Sequence, residues 1–128
     1  MDIKIQTIGI IAKDMAKTMN FYRTLGLPIP AQADEEFNYD FTTQNGLILG
    51  FLTEAAAKQA DPNFITPVGQ SINLQFMVDS PDEVDEIHAS LIKAGYASYA
   101  EPWDAFWGQR FARVTDPDGR VVNIYAHL

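Results

Sequence analysis

The chain has 128 residues, of which 17 are Asp or Glu and 9 are Lys or Arg, so its formal charge at pH 7 is −8. This length favours a single domain, and a hydrophobic fraction of 47% is that of a packed globule rather than of a disordered acidic tail. Nucleic acid is not expected as a partner, because phosphate binding needs a basic face. The acidic balance favours cationic ligands.

Cysteine content and hydropathy exclude several kinds of site and indicate where the protein is located. The chain contains no cysteine, which excludes disulfides, thiolate nucleophiles and Cys-ligated metal sites. The segment MDIKIQTIGI does not resemble an export signal, and no apolar run is long enough to span a bilayer. We therefore expect a cytoplasmic protein with no membrane partner.

The first half of the chain predicts a strand, a helix and a hairpin. The isoleucine-rich run 3–12 predicts a buried strand. Asp14 is placed to cap a helix that ends at Gly26, a residue type suited to the C′ position. Apolar and polar residues alternate in the next segment, and an Asn-Gly turn ending at Gly46 predicts a hairpin over 37–52.

The second half repeats this order of elements. Residues 71–79 predict a strand, and Ser80-Pro81-Asp82-Glu83 combines an N-cap, an N1 proline and a capping-box acid. The helix that follows is predicted to end at Gly95, and residues 109–126 predict a hairpin around the turn Asp116-Pro117-Asp118-Gly119. The apolar stripe of this helix is predicted to comprise Val84, Ile87, Leu91 and Ile92.

The remaining segments are predicted to connect these elements. Residues 31–36 form a polar loop, and residues 101–108 form a loop that leaves room for one further strand before the final hairpin. Residues 54–69 contain two prolines and connect module one (1–53) to module two (70–128), with one helical turn. The whole chain is then one domain made of two similar modules.

Several short motifs occur in an order that resembles a known family. They are Asp14 after the first strand, Phe21-Tyr22 and Leu25-Gly26-Leu27 in the first helix, Trp107-Gly108-Gln109-Arg110, and Asp116-Pro117-Asp118-Gly119. Together they resemble the vicinal oxygen chelate superfamily, which includes glyoxalase I, extradiol dioxygenases, fosfomycin-modifying enzymes and bleomycin-resistance binding proteins. The resemblance spans essentially the whole chain.

The resemblance implies a fold and an assembly. It implies an α+β fold in which two βαβββ modules form curved mixed sheets around a cleft, as in the glyoxalase/bleomycin resistance/dihydroxybiphenyl dioxygenase-like fold. It also implies a homodimer in which modules from two chains complete each site.

The enzymes of this family hold a divalent metal with His and Glu side chains on the concave sheet face. The corresponding positions lie seven residues before each helix cap and four residues after each turn glycine, and they are Thr7, Gly50, Asn73 and Asn123. Neutral oxygens offset the dehydration of a divalent cation poorly. His88 is predicted to be exposed or half-buried in a helix, and His127 is next to the last residue. We therefore expect no metal and no other cofactor.

Residues that replace metal ligands would still line a cavity. Asn73 and Asn123 are interpreted either as amides facing a ligand or as amides that satisfy each other, and Gly50 leaves room for a ligand to approach the backbone. Phe37 and Tyr39 are candidates for the opposite wall, although strand parity leaves open whether Asn38 and Asp40 face inward instead. Arg110 and Arg113 lie an odd number of residues apart on one predicted strand and should point to opposite faces. One of them is a candidate for contact with a ligand carboxylate or phosphate; alternatively, both are surface charges.

An aromatic cluster precedes the final hairpin. Trp103, Phe106 and Trp107 lie within five residues, beside the acids Glu101 and Asp104. Indole faces stack on flat rings and attract cations, and nearby carboxylates add Coulomb attraction. The alternative is that Trp107 packs as core under Gly108 and that Trp103 covers an interface.

These observations predict a metal-free small-molecule binding protein, with no catalytic residue assigned. The expected ligand is cationic and aromatic, a drug or natural product sequestered as by bleomycin-resistance proteins. One alternative is a metal-dependent enzyme resembling glyoxalase, a lyase or a dioxygenase. Another is a metal-independent enzyme that uses Glu101, Asp104 or Tyr125 as an acid or base.

Overall fold

The computed structural model describes residues 1–128 and contains seven strands, three α-helices and one 3₁₀ helix. In chain order the elements are β1 (Thr7–Ala12), α1 (Met15–Leu25), the 3₁₀ helix (Ala31–Glu35), β2 (Asn38–Thr42), β3 (Ile48–Thr53), α2 (Glu54–Ala60), β4 (Leu74–Met77), α3 (Pro81–Lys93), β5 (Ala97–Ala105), β6 (Gln109–Thr115) and β7 (Val121–His127). None of the α-helices has the length and apolar character needed to cross a membrane.

The strands form two mixed sheets, ordered β1-β3-β2 and β4-β7-β6-β5. In each sheet the strand before a helix pairs in parallel with the last strand of the same module, and the other pairs are antiparallel. The α+β architecture with two mixed sheets that the sequence predicts is confirmed. The chain divides into two units, one comprising residues 1–20 and 29–67, the other residues 21–28 and 68–128.

The first unit contains the three-stranded sheet. The buried face of this sheet carries Ile10, Leu49 and Phe51; the register pairs Ile10 with Phe51, and Leu49 lies two residues before Phe51 on β3. At the start of α1, Asp14 Oδ1 accepts a hydrogen bond from Lys17 N at 3.1 Å, so the predicted cap is confirmed. This module has one strand fewer than a βαβββ repeat, because the 3₁₀ helix stands where the second module has β5.

Strand ends and connections differ from the sequence prediction where tertiary pairing decides them. β1 begins at Thr7 rather than at residue 3, because its parallel partner β3 begins at Ile48, opposite Thr7. β4 covers only Leu74–Met77 of the predicted 71–79, and its first residue lies opposite Val122, near the start of β7. The connection contains the seven-residue helix α2 rather than one turn, with Thr53 Oγ1 accepting from Ala56 N as its cap.

The second unit has the full βαβββ order. The capping box of α3 is confirmed: Ser80 Oγ accepts from Glu83 N at 3.3 Å, and Glu83 Oε2 accepts from Ser80 N at 3.2 Å. Helix α3 packs against β5, β6 and β7. The buried side chains on this side of the sheet include Val114, Val122 and Ile124.

The stripe that α3 buries differs from the predicted one. His88 is 5% exposed and lies between the buried Val84 and Leu91, whereas Ile92 is 39% exposed. The prediction of an exposed or half-buried His88 is therefore wrong. The imidazole is tolerated there because its Nε2 lies 2.8 Å from Ser98 Oγ, which supplies a hydrogen-bond partner for a buried polar atom.

A buried carboxylate connects two of the sequence motifs within the second unit. Asp116 is 3% exposed, and its Oδ2 accepts from Tyr22 Oη at 2.8 Å and from Arg120 Nε at 2.9 Å. Its Oδ1 accepts from the backbone N–H groups of Asp118 and Arg120, both at 2.9 Å. The turn closes at Gly119, whose φ of +88° favours glycine. The Phe-Tyr pair and the Asp-Pro-Asp-Gly turn are therefore parts of one structural anchor.

Candidate functional site

The two faces of the second sheet differ in character. One face, here called the helix face, is covered by α3 and carries Val114, Val122 and Ile124. The opposite face, here called the aromatic face, is defined by the register partners of β6 and β7. It carries Gln75, Met77, Ala97, Ala100, Trp103, Ala105, Gln109, Phe111, Arg113, Thr115, Val121, Asn123, Tyr125 and His127.

A row of aromatic residues crosses the aromatic face from strand to strand. Tyr125, Phe111 and Trp103 are consecutive register partners on β7, β6 and β5. The rings of Phe111 and Tyr125 stack with centroids 6.0 Å apart, and Trp103 meets Phe111 edge to face at 5.4 Å. Trp107 lies beyond the end of β5 and meets Trp103 at 6.1 Å, so the two indoles and two further rings form one contiguous surface.

Part of this aromatic surface is accessible to solvent. Trp107 is 45% exposed and Trp103 is half-buried. The indole Nε1 of Trp107 donates to Gln109 Oε1 at 2.8 Å, which orients its ring. The interpretation of Trp107 as core under Gly108 does not agree with this exposure. Its ring is available for stacking on a planar molecule.

A second row, next to the aromatic one, is polar. It consists of Gln75, Asn123 and Arg113, which the register places opposite one another on β4, β7 and β6. Asn123 is 5% exposed, and its Oδ1 is buried without a hydrogen-bond partner. The guanidinium carbon of Arg113 lies 5.6 Å from the Trp103 ring centroid and 5.4 Å from that of Phe111. A hydrogen-bond acceptor and a cation therefore border the aromatic row.

The sequence as a whole matches one family model. The match is to the Glyoxalase/Bleomycin resistance protein/Dioxygenase superfamily and covers residues 4–124. The chain belongs to this superfamily. No curated protein matches it significantly.

Solved structures of glyoxalase-superfamily proteins share the fold. A glyoxalase/bleomycin resistance protein/dioxygenase family enzyme from Burkholderia phytofirmans PsJN aligns with a TM-score of 0.83 at 21% identity, over 98% of this chain and 100% of that one. A glyoxalase/bleomycin resistance protein/dioxygenase from Nocardioides aligns with a TM-score of 0.72 at 23% identity, over 100% and 85% of the two chains. A lactoylglutathione lyase from Agrobacterium tumefaciens aligns with a TM-score of 0.69 at 22% identity, over 96% of this chain and 92% of that one.

The metal of the glyoxalase superfamily does not fit the residues at the corresponding positions. In the first unit, a Cβ built on Gly50 would lie 3.2 Å from Thr7 Cγ2 and 3.2 Å from Asp40 Oδ1, so these residues surround the first candidate position. They provide one carboxylate and one hydroxyl. No group of three or more His, Asp or Glu side chains is arranged to hold a metal ion anywhere in the structure. Divalent metals in proteins take more charged or imidazole donors than this.

The structure also separates residues that the sequence analysis grouped together. Asp104 and Arg110 are register partners on the helix face, and Arg110 Nη1 lies 3.2 Å from Asp104 Oδ1. Arg110 Nη2 also lies 3.0 Å from Oδ1 of Asp85 on α3. The hydrogen bond to Asp85 raises the pKa of the Arg110 guanidinium. Glu101 Oε2 lies 4.0 Å from His88 Nδ1, on the same side as α3. None of these three charged candidates reaches the aromatic face.

The other candidates occupy different places. In the first unit Tyr39 pairs with Phe51 on the buried face of the sheet, whereas Asp40 pairs with Gly50 on the other face. In the second unit the amide opposite Asn123 is that of Gln75; Asn73 is exposed and its Oδ1 accepts from Gln70 Nε2 at 3.1 Å. Phe106 is 97% exposed and its ring contacts Trp107 at 5.0 Å.

The sequence did not indicate one residue of the site, Phe111, and it did not indicate where Arg113 lies relative to Asn123. Phe111 joins the aromatic row, and Arg113 lies directly opposite Asn123. Both follow from counting outward from the Asp-Pro-Asp-Gly turn, since a hairpin pairs residues equidistant from its turn. The contact between Ser98 and His88 was also missed. It bridges ten residues of sequence and belongs to the packing of α3.

Proposed function

We propose that this protein binds a small planar aromatic molecule on the aromatic face of its second sheet, without a metal. The observation that carries the proposal is the aromatic row, in which Trp103, Phe111 and Tyr125 lie side by side with Trp107 at one end. Trp103, Trp107 and Tyr125 are partly exposed and offer stacking surfaces to a flat ring, whereas Phe111 is 4% exposed and supports them from within the row. Sequestration of a drug or natural product, as in the bleomycin-resistance branch, is the biological role proposed for this binding.

Intrinsic fluorescence offers a direct test, because both tryptophans of the chain belong to this cluster. Titration with bleomycin and with naphthalene derivatives is expected to change the emission in a saturable way. Trp103→Ala should weaken binding, measured by calorimetry, by about tenfold, because stacking on one aromatic side chain is worth about 1–3 kcal/mol. Ile65→Ala, at an 84% exposed position of the first unit, is the control and should leave affinity unchanged.

Three results would contradict the proposal. One is the absence of binding by any compound of the panel below about 1 mM. The second is equal affinity of the wild type and of the Trp103→Ala and Trp107→Ala variants. The third is stoichiometric Ni, Zn, Mn or Fe in the purified protein, which would support a metal-dependent enzyme instead.

Turnover and assembly require separate measurements. Conversion of a bound compound would support a metal-independent enzyme, with Tyr125 on the aromatic face as the residue to substitute first. A homodimer remains a prediction, and sedimentation equilibrium tests it.

A further inference from the structure

We infer that the ligand of the aromatic face is an anion, specifically a planar aromatic carboxylate that carries a hydrogen-bond donor beside the carboxylate. This inference rests on the proposed function and specifies the ligand class of the same site. It reverses the charge preference expected from the net charge of −8. Arg113, Asn123 and the placement of the acidic residues all favour such a ligand.

Arg113 differs from the arginines that flank it in sequence. Arg110 contacts the carboxylates of Asp85 and Asp104, and Arg120 contacts those of Asp116 and Asp118. Arg113 has no carboxylate within 4.0 Å and lies instead against two aromatic rings. Contact with ring faces leaves the edge of a guanidinium able to donate, and its fork of N–H groups matches a carboxylate.

Asn123, which lies opposite Arg113, favours a ligand that also carries a hydrogen-bond donor. Its Oδ1 is buried and accepts no hydrogen bond, which is costly for a polar atom unless a ligand satisfies it. Because Asn123 and Arg113 are opposite each other in an antiparallel pair, their Cβ atoms are about 5 Å apart. A carboxylate at Arg113 and a donor on an adjacent ring atom would therefore meet both groups at once.

The two acidic residues that flank Trp103 in sequence, Glu101 and Asp104, do not oppose the preference for an anion. The strand β5 pairs irregularly with β6 between Ser98 and Trp103, and each irregularity shifts the alternation of its side chains. Ala100 and Trp103 therefore both lie on the aromatic face, and Glu101, which follows Ala100, approaches His88 on the other side. Asp104 follows Trp103 with ordinary alternation and binds Arg110. The aromatic face itself carries no Asp or Glu, so Arg113 sets its local charge.

Three probes of equal shape and different charge test the sign of this preference: 2-naphthoate, 2-naphthamide and 2-naphthylmethylamine. Calorimetry on the full chain should show the carboxylate binding at least about tenfold more tightly than the other two, as expected for a charge-assisted pair. Arg113→Gln should weaken binding of the carboxylate by at least about tenfold and so remove this preference. Lys93→Gln removes the same charge from the exposed end of α3 and serves as the control.

The donor requirement is tested by comparing 3-amino-2-naphthoate with 3-methyl-2-naphthoate. The wild type should prefer the amino compound, since one N–H remains available after the internal bond to the carboxylate, and Asn123→Leu should abolish this preference. Thermal melts verify that each variant is folded, and Asn123→Leu should be at least as stable as the wild type because it buries no unpaired acceptor.

The outcomes separate the inference from the proposed function. Equal or tighter binding of the amide or the amine, still weakened by Trp103→Ala, would overturn the anion inference and leave the aromatic binding site in place. Loss of the carboxylate preference in Lys93→Gln to the same extent as in Arg113→Gln would also overturn it. Failure of all three probes to bind would contradict the proposed function itself.

Discussion

Replacing Asp116 by Asn should destabilise the second unit strongly although the side chain keeps its shape. The carboxylate accepts four hydrogen bonds, two from backbone N–H groups, one from Tyr22 and one from Arg120. In the amide, one of the two oxygens becomes an NH₂ group that faces two donors. Tyr22 Oη can rotate to accept, but the Nε–H of Arg120 cannot.

The magnitude follows from burial. Asp116 is 3% exposed, and removing one partner of a buried ion pair costs about 3–5 kcal/mol. Arg120 keeps its contact with Asp118 at 3.0 Å, which places the expected loss of unfolding free energy near the lower end, at about 3 kcal/mol. Urea denaturation at pH 7, followed by circular dichroism, measures this difference.

Asp85→Asn provides the matched control, because it removes an Asp–Arg pair of similar geometry at a 48% exposed position. Its expected cost is about 0–1 kcal/mol. If Asp116→Asn cost no more than Asp85→Asn, the buried carboxylate would not be the anchor described above.

Three further predictions concern stability. Tyr22→Phe should cost about 1–2 kcal/mol at pH 7. Burial, and next the charge of Asp116, raises the pKa of Tyr22, so its stabilising effect is complete below the unfolded pKa of about 10 and is lost as the pH rises above it. Urea midpoints from pH 8 to 11 should therefore fall less steeply for Tyr22→Phe than for the wild type. His88→Ala should cost about 2–4 kcal/mol of unfolding free energy, because it leaves a cavity. His88→Leu should cost less than about 1.5 kcal/mol, because it fills the space and the exposed Ser98 can bond to water. Thermal melts compare the two variants, and equal losses would contradict this account. Ser80→Ala should cost about 1 kcal/mol in urea denaturation, and no loss would argue against the capping box.

Local signals predicted helix ends and turns well. The cap at Asp14, the capping box at Ser80 and the turn at Gly119 each depend on residues within four positions of one another. Counting within each repeat also placed Gly50 and Asn123 at equivalent positions. The register agrees, because each lies on a strand with one parallel and one antiparallel neighbour: β3 between β1 and β2, and β7 between β4 and β6.

Strand ends and buried faces were predicted less well. Residues 3–6 are apolar enough for a strand but lie beyond the end of their partner. His88 is polar but occupies the buried stripe, because Ser98 on another element satisfies its ring. In both cases the deciding group is far away in sequence.

The candidate site divides in the same way. Sequence alone determined the family resemblance, the absence of cysteine, the pair of tryptophans and the amide at Asn123. Tertiary structure decided which charge accompanies the rings, because the irregular pairing of β5 turns Glu101 toward the helix face, ordinary alternation places Asp104 there too, and Arg113 lies beside Trp103. Composition sums charges over the whole chain, whereas a ligand responds to the few charges that the strand register brings within contact distance.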